Sequence, residues 1–367
     1  MKKLLLEDCC EILDSMRIPI TASERKSGSY PYYGANGIQD YVADYIFDDE
    51  LVLLAEDGGN FGSKTKPIAY RVSGKCWVNN HAHVLKPKKD FNVDYLCYSL
   101  MFYNTDGLVN GATRQKLTQA TMRQMLIPQR AYQEQCDIVA QMNKVNLIIK
   151  TRQNQLQKLD ELVKARFVEL FGDPLHNTKD LQTSPMTNIC RIIDGDRGKN
   201  YPKQEDFSDC GFCLFLNAKN VTAQGFSFEN CMYITEEKDA LLHNGKLCRG
   251  DVVLTTRGTI GNLAFYDTSV PYGNVRINSG MVILRMNRNL VSEIFFMEQF
   301  KMQLDSIKSR IASGSAQPQL PISTMNKIKM ILPQIELQKQ FEQFVKQVDK
   351  SKLSKYYICR YAYRHNS

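Results

Sequence analysis

Residues 151–174 read TRQNQLQKLDELVKARFVELFGDP, the end of a long amphipathic pattern in the middle of the chain. The pattern begins after Pro128, contains no internal proline or glycine, and stops at the Gly-Asp-Pro sequence of residues 172–174. Its apolar residues recur every seven positions, which predicts a helix that buries one stripe against a second helix. The stretch therefore predicts a long helix between two irregular halves of the chain.

A second helical pattern begins after Pro333, and each proline lies where a first-turn proline is tolerated. We expect the two helices to form an antiparallel coiled coil, although each helix could instead pack only on its own domain. Because the second stripe is shorter, residues 159–170 are expected to lack a partner within the chain. The predicted coiled-coil residues are Met142, Val145, Ile149, Leu156, Leu159 and Val163 on the first helix, and Phe341, Phe344 and Val348 on the second.

The two halves of the chain carry the same motifs in the same order. The corresponding segments are LEDCCEILDSMR (6–17) and MTNICRIIDGDR (186–197), DDELVLLAEDGGNFG (48–62) and RGDVVLTTRGTIG (249–261), VNNHAHVL (78–85) and INSGMVIL (277–284), and GATRQKLTQATMRQMLIPQ (111–129) and GSAQPQLPISTMNKIKMILPQ (314–334). A repeat of about 205 residues is too long for a solenoid unit and indicates domain duplication.

Short β-rich runs alternate with glycine-, asparagine- and proline-rich turns in each half, and one helical stretch follows. This texture is typical of an α+β domain with an antiparallel sheet. The predicted fold is thus two similar α+β domains separated by two long helices. The predicted segments are a first domain at 1–128, a central spacer helix at 129–172, a second domain at 173–333, and a C-terminal spacer helix and tail at 334–367.

Composition limits the class of protein. The 367 residues are 43% hydrophobic, enough for two cores, and the net charge of +8 fits a nucleic-acid partner, although many proteins with such a charge bind nothing acidic. Eleven scattered cysteines suit reduced thiols in a cytoplasm. Glu7 and Asp8 interrupt the N-terminal leucines, and no apolar run approaches the roughly 20 residues that span a bilayer. We expect a cytoplasmic protein with no membrane partner.

The whole arrangement resembles the DNA-specificity subunit of type I restriction–modification systems. The resemblance rests on SYPYYGANG (29–37), GDVVLTTRGTIG (250–261), GSAQPQLPISTMNKIKMILP before the second helix, and LVKARFVELFGDP at the end of the first. It covers about residues 1–350 and depends on the order of these motifs, twice over, with the two helices in place.

The resemblance implies that each half is a target recognition domain that reads one part of a split, asymmetric double-stranded DNA site. It implies that the helices set the spacing of the two domains and that the chain itself is not catalytic. Two modification subunits, which use S-adenosylmethionine, would methylate adenine at N6, and restriction subunits could join them. The chain itself is expected to bind no cofactor.

The residues agree with a non-catalytic role. No Pro-Pro dipeptide occurs, so the Asn/Asp-Pro-Pro-aromatic motif that holds a flipped adenine is absent from the sequence, and so are a phosphate-binding loop and a His-Glu-x-x-His motif. Cys210 and Cys213 form a C-x-x-C without a second pair, which favours structural thiols over zinc or redox chemistry. His81 and His83 alternate on a predicted strand; a polar face near DNA is favoured over a metal site, and we expect no metal.

Candidate DNA contacts are basic, amide and aromatic residues in predicted loops, because lysine and arginine neutralise phosphates while arginine, asparagine and glutamine can read base edges. In the first half they are Tyr30, Tyr32, Tyr33, Asn36, Lys64, Lys66, Asn79, His81, Arg114, Gln115 and Lys116. In the second half they are Arg197, Lys199, Asn217, Lys219, Asn220, Arg257, Thr259, Arg276, Asn278, Gln317 and Gln319. Each residue singly could equally be an ordinary solvated loop side chain.

Two other functions are compatible with the sequence. The chain could be a protein-interaction scaffold whose helices oligomerise and whose domains read no DNA. It could also be a thiol oxidoreductase that uses Cys210 and Cys213. DNA binding that weakens steeply with salt would favour a DNA-binding subunit over the scaffold. Unchanged function after both cysteines are replaced by serine would exclude the oxidoreductase.

Overall fold

The structure is a computed structural model that describes residues 2–111, 114–312 and 319–364. The chain divides into two compact units, Met1–Thr151 and Arg152–Ser367. The boundary between these units falls inside the long central helix.

The first unit is built on one six-stranded sheet. The strands of the unit are β1 (Lys3–Leu5), β2 (Cys10–Ile12), β3 (Ser27–Gly34), β4 (Gly37–Val42), β5 (Phe47–Ala55), β6 (Ala69–Val78), β7 (Ala82–Pro87), β8 (Val109–Asn110), β9 (Lys116–Leu117) and β10 (Leu126–Pro128). Its helices are α1 (Leu6–Cys9), α2 (Val93–Met101), α3 (Gln119–Arg123) and the first part of α4 (Tyr132–Phe171). The sheet order is β2-β7-β5-β6-β3-β4, antiparallel except where β3 runs parallel to β6.

The second unit contains the same kinds of element. Its strands are β11 (Thr183–Pro185), β12 (Cys190–Asp194), β13 (Cys213–Leu216), β14 (Val221–Thr222), β15 (Gly225–Phe226), β16 (Tyr233–Ile234), β17 (Asp251–Thr255), β18 (Leu263–Tyr266), β19 (Val275–Ile277), β20 (Met281–Met286) and β21 (Lys329–Ile331). Its helices are the end of α4, α5 (Met186–Ile189), α6 (Glu236–Leu241), α7 (Glu293–Ala312), α8 (Ile322–Met325) and α9 (Ile335–Arg364).

The central strands β5 and β17 are buried on both faces. Side chains alternate across a strand, so Val52 and Leu54 belong to the core cluster that contains α2, while Leu53 belongs to a second cluster on the opposite face. In the second unit Val252 packs with the phenylalanines of α7, and Val253 lies in a separate cluster. These two strands therefore hold the middle of each unit, with cores on either side.

Strand register confirms the duplication. The order β12-β20-β17-β18 in the second unit matches β2-β7-β5-β6 in the first. Leu85 pairs with both Ile12 and Val52, and Leu284 pairs in the same way with Ile192 and Val252. The units differ beyond this shared part, because β13 forms a separate three-stranded sheet with β16 and β19.

A buried glutamine attaches each long helix to its own unit. The side-chain oxygen of Gln135 accepts a hydrogen bond from the Asn92 backbone N–H at 2.8 Å, and its amide nitrogen donates to the carbonyls of Asp90 (3.0 Å) and Arg130 (3.1 Å). Asn92 also caps α2. The amide thus ties the start of α4 to the start of the shorter helix.

Gln338 makes the same three contacts in the second unit. Its side-chain oxygen accepts from the Ser292 backbone N–H at 3.0 Å, and its nitrogen donates to the carbonyls of Leu290 (2.9 Å) and Pro333 (2.8 Å). Like Gln135, it is fully buried. The pattern makes Pro333 equivalent to Arg130 rather than to Pro128.

The expected first-turn positions of the two prolines are therefore wrong. Pro128 is the last residue of β10 and pairs with Lys3, and α4 begins only at Tyr132. Pro333 lies two residues before α9 begins at Ile335. Neither proline is part of its helix, because a strand or a short connection comes first.

The distal part of α4 packs against α9 within the second unit. The ring of Phe341 lies 5.4 Å from that of Phe167 and 5.6 Å from that of Phe171, and Lys352 forms an ion pair with Asp160 at 2.7 Å. Residue numbers rise along α9 as they fall along α4, so the helices are antiparallel here, which confirms the predicted arrangement.

The expectation that residues 159–170 lack an internal partner is wrong. Val163 is 4% exposed and Phe167 is fully buried, in one cluster with Phe341 and Val348. Leu159 and Phe344 pack against the same cluster. Helix α7 also covers the stripe, since the ring of Phe295 stacks on that of Phe167 with centroids 5.4 Å apart.

The middle of α4 is more exposed. Met142 is 38% exposed, and Val145, Ile149 and Leu156 are partly buried. Two apolar residues outside the heptad positions, Leu147 and Ile148, are 65% and 55% exposed. Nowhere in the part of the chain that the structure describes is a helix long and apolar enough to cross a membrane.

Candidate nucleic-acid interface

In the first unit, β5 ends in a tight turn, residues 56–60, which we call the first strand-end turn. The backbone N–H groups of Glu56 and Asp57 donate to the carbonyl of His81 at 2.9 and 3.4 Å. The carbonyl of Glu56 accepts from the N–H of Leu117 at 2.7 Å. The turn is therefore fixed between the start of β7 and the strand β9.

Three predicted DNA-contacting residues converge on this turn. The Asp57 carboxylate lies 2.6 Å from Nδ1 of His81 and 2.9 Å from Nη2 of Arg114. The amide of Asn36 donates to the carbonyl of Gly58 at 3.0 Å. Gly58 adopts a φ of 62°, a conformation that favours glycine. The turn thus gathers side chains from three separate segments of the sequence, two of them through the Asp57 carboxylate and one through the Gly58 carbonyl.

A buried ionic network supports the turn from behind. Nδ1 of His83 lies 2.6 Å from the Asp14 carboxylate, and Nε2 donates to the carbonyl of Leu117 at 2.9 Å. Arg17 donates to Glu56 at 2.6 Å, and Glu56 also pairs with Lys116 at 3.1 Å. Three positively charged or chargeable side chains therefore balance two carboxylates.

This network lowers the pKa of the Asp14 carboxyl. Burial raises that pKa, but the hydrogen bond and charge of His83, the backbone N–H of Val84 and the charge of Arg17 outweigh burial and hold it below its usual value. Asp14 is therefore a carboxylate at neutral pH, fully engaged by the groups around it.

Asp14, Glu56 and His83 also offer three possible metal-ligand atoms within 4.8 Å of one another. The fit to a metal ion is poor, because the guanidinium of Arg17 already lies 2.6 Å from Glu56 and 3.5 Å from Asp14. A cation supplied by the protein thus already pairs with both carboxylates. We therefore treat the three residues as a structural ionic network.

The other predicted residues of the first unit fall into two groups. Lys64, Lys66 and Gln115 are exposed, and Tyr30 and Tyr33 are partly buried. Tyr32 is 1% exposed and its hydroxyl donates to the carbonyl of Ile20, and Asn79 is 3% exposed and bonded to Gln39 and His81. The prediction needs correction at Tyr32 and Asn79, because both side chains face the protein interior in this structure.

In the second unit, β17 ends in the equivalent turn, residues 256–260, the second strand-end turn. The N–H groups of Thr256 and Arg257 donate to the carbonyl of Gly280 at 2.9 and 3.2 Å, and the Thr256 carbonyl accepts from Leu320 at 2.9 Å. These bonds repeat those of the first turn one for one. The Asp57–Lys116 bridge of the first unit likewise recurs as Arg257–Gln319.

Different side chains occupy this shared backbone. Arg257 and Thr259 are exposed, and Nε of Arg257 donates to the side-chain oxygen of Gln319 at 3.1 Å. The side-chain oxygen of Asn278 accepts from the N–H of Gly280 at 2.9 Å and shapes the neighbouring turn. Where the first unit has an acidic turn, the second therefore has a basic one.

The remaining predictions in the second unit again divide by burial. Lys199 and Lys219 are exposed, and Arg197 is exposed and paired with Asp194 at 3.1 Å. Asn217 and Lys219 line a cavity of about 700 Å³ together with the rings of Tyr233 and Tyr272. Asp209 and Glu229 line the same cavity, so Lys219 lies there beside two carboxylates, and Asn217 and Lys219 stay predicted contacts.

Two predicted residues of the second unit are structural. Arg276 is 5% exposed, and its guanidinium donates to Asp239 and to the carbonyls of Leu242 and Asn244. Asn220 is 1% exposed and donates to the carbonyls of Ser227 and Asn230 at 3.0 Å. Both predictions need correction, because every polar group in these contacts faces inward. Gln317 lies outside the described residues.

The acidic side of the first site was not predicted from the sequence. Asp57 and Glu56 were not among the candidate contacts, and neither were Asp14 and Arg17, although all four stand in the repeated motifs. The available signal was the acidic residue before the glycine turn in one copy and its absence in the other.

The two thiols of the C-x-x-C differ in environment. Cys213 is fully buried on β13 and Cys210 is exposed, and both are free. Burial, followed by the nearby Asp239, raises the pKa of the Cys213 thiol to about 12. A thiol with so high a pKa is a poor nucleophile, which argues against the oxidoreductase alternative.

A known family model matches the chain twice, once in each half. A profile described as the type I restriction modification DNA specificity domain matches residues 1–160 and again residues 178–356. A Haemophilus influenzae protein described as a type I restriction enzyme specificity subunit is 27% identical over 342 residues, which cover 91% of this chain and 83% of the relative. The MjaVIII specificity subunit of Methanocaldococcus jannaschii is 23% identical over 376 residues, with 93% and 84% coverage.

Solved structures share the fold. The S subunit of a type I restriction–modification system from M. genitalium gives a TM-score of 0.53 at 16% identity, covering 98% of this chain and 94% of its own. A structure concerned with complex assembly and conformational transition of the type I system gives 0.53 at 14% identity, covering 99% and 94%. At these identities the similarity concerns the fold alone.

Proposed function

The chain belongs to the type I restriction–modification DNA specificity family, and from this premise we propose that its two units read the two parts of a bipartite, asymmetric DNA site. One observation carries the proposal. The strand-end turns share one backbone arrangement, but the residues on them differ, Asp57 in one and Arg257 in the other. Two recognition units with the same backbone and different side chains suit a site whose two parts differ in sequence.

The chain contributes recognition and its partners contribute chemistry. Members of this family are non-catalytic components of restriction–modification complexes. We propose that two modification subunits bind this chain and use S-adenosylmethionine to methylate adenine at N6, and that restriction subunits join them. This chain's own residues then hold the DNA, and the family match does not favour the scaffold alternative.

The long helix fits a spacing role. α4 has 40 residues, and at about 1.5 Å per residue it measures about 60 Å. Two readers on one face of a duplex must lie about 34 Å apart, centre to centre. A continuous helix of this length can supply such a span, so its length would set the number of unread base pairs.

Mapping of methylated adenines tests the proposal. The full chain is co-expressed with its modification subunits, and modified adenines are mapped across the host genome. We expect a motif in two parts with a constant gap, and no such methylation when this chain is omitted. A contiguous motif, or methylation that does not need this chain, would contradict the proposal.

A four-residue deletion tests the spacing role. Removal of residues 153–156 shortens α4 by about 6 Å, which corresponds to roughly two base pairs. We expect the same two half-sites with a shorter gap. The control replaces the same four residues with alanine and keeps the length; its gap should be unchanged. An unaltered gap in the deletion variant would rule out the helix as the spacer.

A further inference from the structure

The strand-end turns carry a second regularity. In each unit an arginine reaches the turn, and another side chain of the same junction holds its guanidinium. Resting on the proposed function, we propose that Arg257, held by Gln319, and Arg114, held by Asp57, each read a guanine in the DNA half-site of their own unit. In the second unit the arginine belongs to the strand-end turn itself. In the first unit it belongs to the segment that bridges to the turn.

In the second unit the arginine comes from the turn itself. Nε of Arg257 donates to Gln319 at 3.1 Å, and among the described residues the two terminal nitrogens have no hydrogen-bond partner. No carboxylate lies within ion-pair distance of this side chain among the side chains that the structure describes, whereas five other arginines of the unit are paired. These are Arg166, Arg197, Arg276, Arg285 and Arg288.

In the first unit the relation is reversed. Asp57 stands at the position equivalent to Arg257, and Arg114 comes from the loop before β9. Nη2 of Arg114 donates to Asp57 at 2.9 Å, and the guanidinium lies over Gly58, where an added Cβ would meet Nε at 3.5 Å. The Arg114 side chain is still 60% exposed. The charge is thus fixed in direction and open to solvent.

Guanine is the base that suits this arrangement. Its O6 and N7 are two acceptors side by side in the major groove, and the planar fork of arginine matches them with two hydrogen bonds. A phosphate contact tolerates a mobile cation, because a phosphate offers acceptors in several directions. Gln319 and Asp57 fix the guanidinium, which is what a directional base contact requires. They are positioning residues.

The test uses the complete complex with modification subunits. Arg257→Lys and Arg114→Lys keep the charge and lose the fork. We expect each variant to relax one guanine position, by about ten-fold or more in discrimination. Arg257→Lys should relax one half-site and Arg114→Lys the other, with the gap unchanged. Methylation mapping with competing DNA duplexes, each changed at one base pair, measures both effects.

Two further variants separate positioning from folding. Gln319→Leu removes the acceptor of Nε, and we expect it to relax the same guanine position as Arg257→Lys with little loss of total DNA affinity. Gln319→Glu keeps an acceptor and should restore discrimination. Arg191→Lys is the matched control, because Arg191 is exposed on β12, outside both turns. It should leave the motif intact.

The outcomes distinguish this inference from the proposed function. Without a bipartite wild-type motif, the proposed function fails. With that motif, unchanged discrimination in both lysine variants overturns the guanine contacts alone. Uniform weakening at every site with the motif preserved indicates phosphate contacts and also overturns them. Relaxation of the same half-site by both variants contradicts the assignment of one arginine to each unit.

Discussion

The first strand-end turn is acidic and the second is basic, yet their backbones make the same hydrogen bonds. Glu56 and Asp57 bond to the carbonyl of His81, and Thr256 and Arg257 bond to that of Gly280. Backbone groups at this junction hold the fold, so the side chains are free to differ. A duplicated domain can therefore change what it recognises without changing its backbone fold.

A second difference lies beneath the turns. His83 pairs across the sheet with Leu54, and Val282 pairs in the same way with Leu254. The histidine requires Asp14 and its companions as partners, whereas the valine simply joins an apolar cluster. The same position can thus hold a buried ionic network or a hydrophobic contact, provided that every buried polar group is satisfied.

The largest expected effect concerns the part of α4 in the second unit. Phe167 is fully buried among Phe171, Phe295 and Phe341. We expect Phe167→Ala to lower the free energy of unfolding by about 3–5 kcal/mol, because it leaves a cavity in an aromatic cluster. Denaturant unfolding measures this, and Leu147→Ala, at a side chain 65% exposed, should change it by less than about 0.5 kcal/mol. Equal effects of the two substitutions would show that the two parts of α4 do not differ in this way.

The two buried glutamines should behave alike. Gln135→Leu and Gln338→Leu each leave one backbone N–H and two carbonyls without their partner. We expect each to cost about 2–4 kcal/mol, since an unsatisfied buried group costs about 1–3 kcal/mol. Separate unfolding transitions of the two units, followed by hydrogen exchange, give the two values. A large cost for one glutamine and none for the other would break their equivalence.

The ionic network makes the first unit sensitive to acid. The pKa of Asp14 is lower in the folded chain than its usual value of 3.8, so its stabilising contribution is present above that pH and is lost as the pH falls through the folded pKa. We expect Asp14→Asn to lower stability at neutral pH and to flatten the decline below about pH 4. Unfolding measured from pH 7 to pH 3 tests this. Asp8→Asn, at an exposed position, should keep the wild-type decline.

The smallest effect on stability is expected at the turn itself. Asp57→Asn weakens contacts with Arg114, whose side chain is 60% exposed, so solvent screens most of the interaction. We expect a change of less than about 1 kcal/mol in the free energy of unfolding. Thermal unfolding checks this value. A larger loss would mean that Asp57 supports the frame, contrary to its role as a positioning residue.

Contacts of particular residues confirm some of the predictions made from the sequence. The repeated motifs predicted the duplication, and the pairing of Ile12 with Leu85 and of Ile192 with Leu284 confirms it. The seven-residue spacing predicted the antiparallel helices, which contact through Phe167 and Phe341. The segment boundaries at 128, 172 and 333 stay predictions, as do the exposed candidate contacts.

Local pattern could not separate Arg257 from Arg276. Both are basic residues beside glycine-rich or polar turns, yet one is exposed and the other is 5% exposed against Asp239. The difference depends on α6, which carries Asp239 to β19 from 37 positions before Arg276 in the chain. Burial of a side chain is set by such distant elements, and one segment of sequence does not contain them.

The sequence by itself determined the repeat, the long helix and the family, because these depend on spacing and order along the chain. Tertiary structure decided which polar residues face outward and what covers residues 159–171. It also decided that Asp57 and Arg257 occupy equivalent positions in the two strand-end turns. Contacts such as those of Gln135 with Asn92, or of Arg114 with Asp57, join residues more than 40 positions apart. Only the folded chain brings such groups together, because their partners lie outside any local pattern.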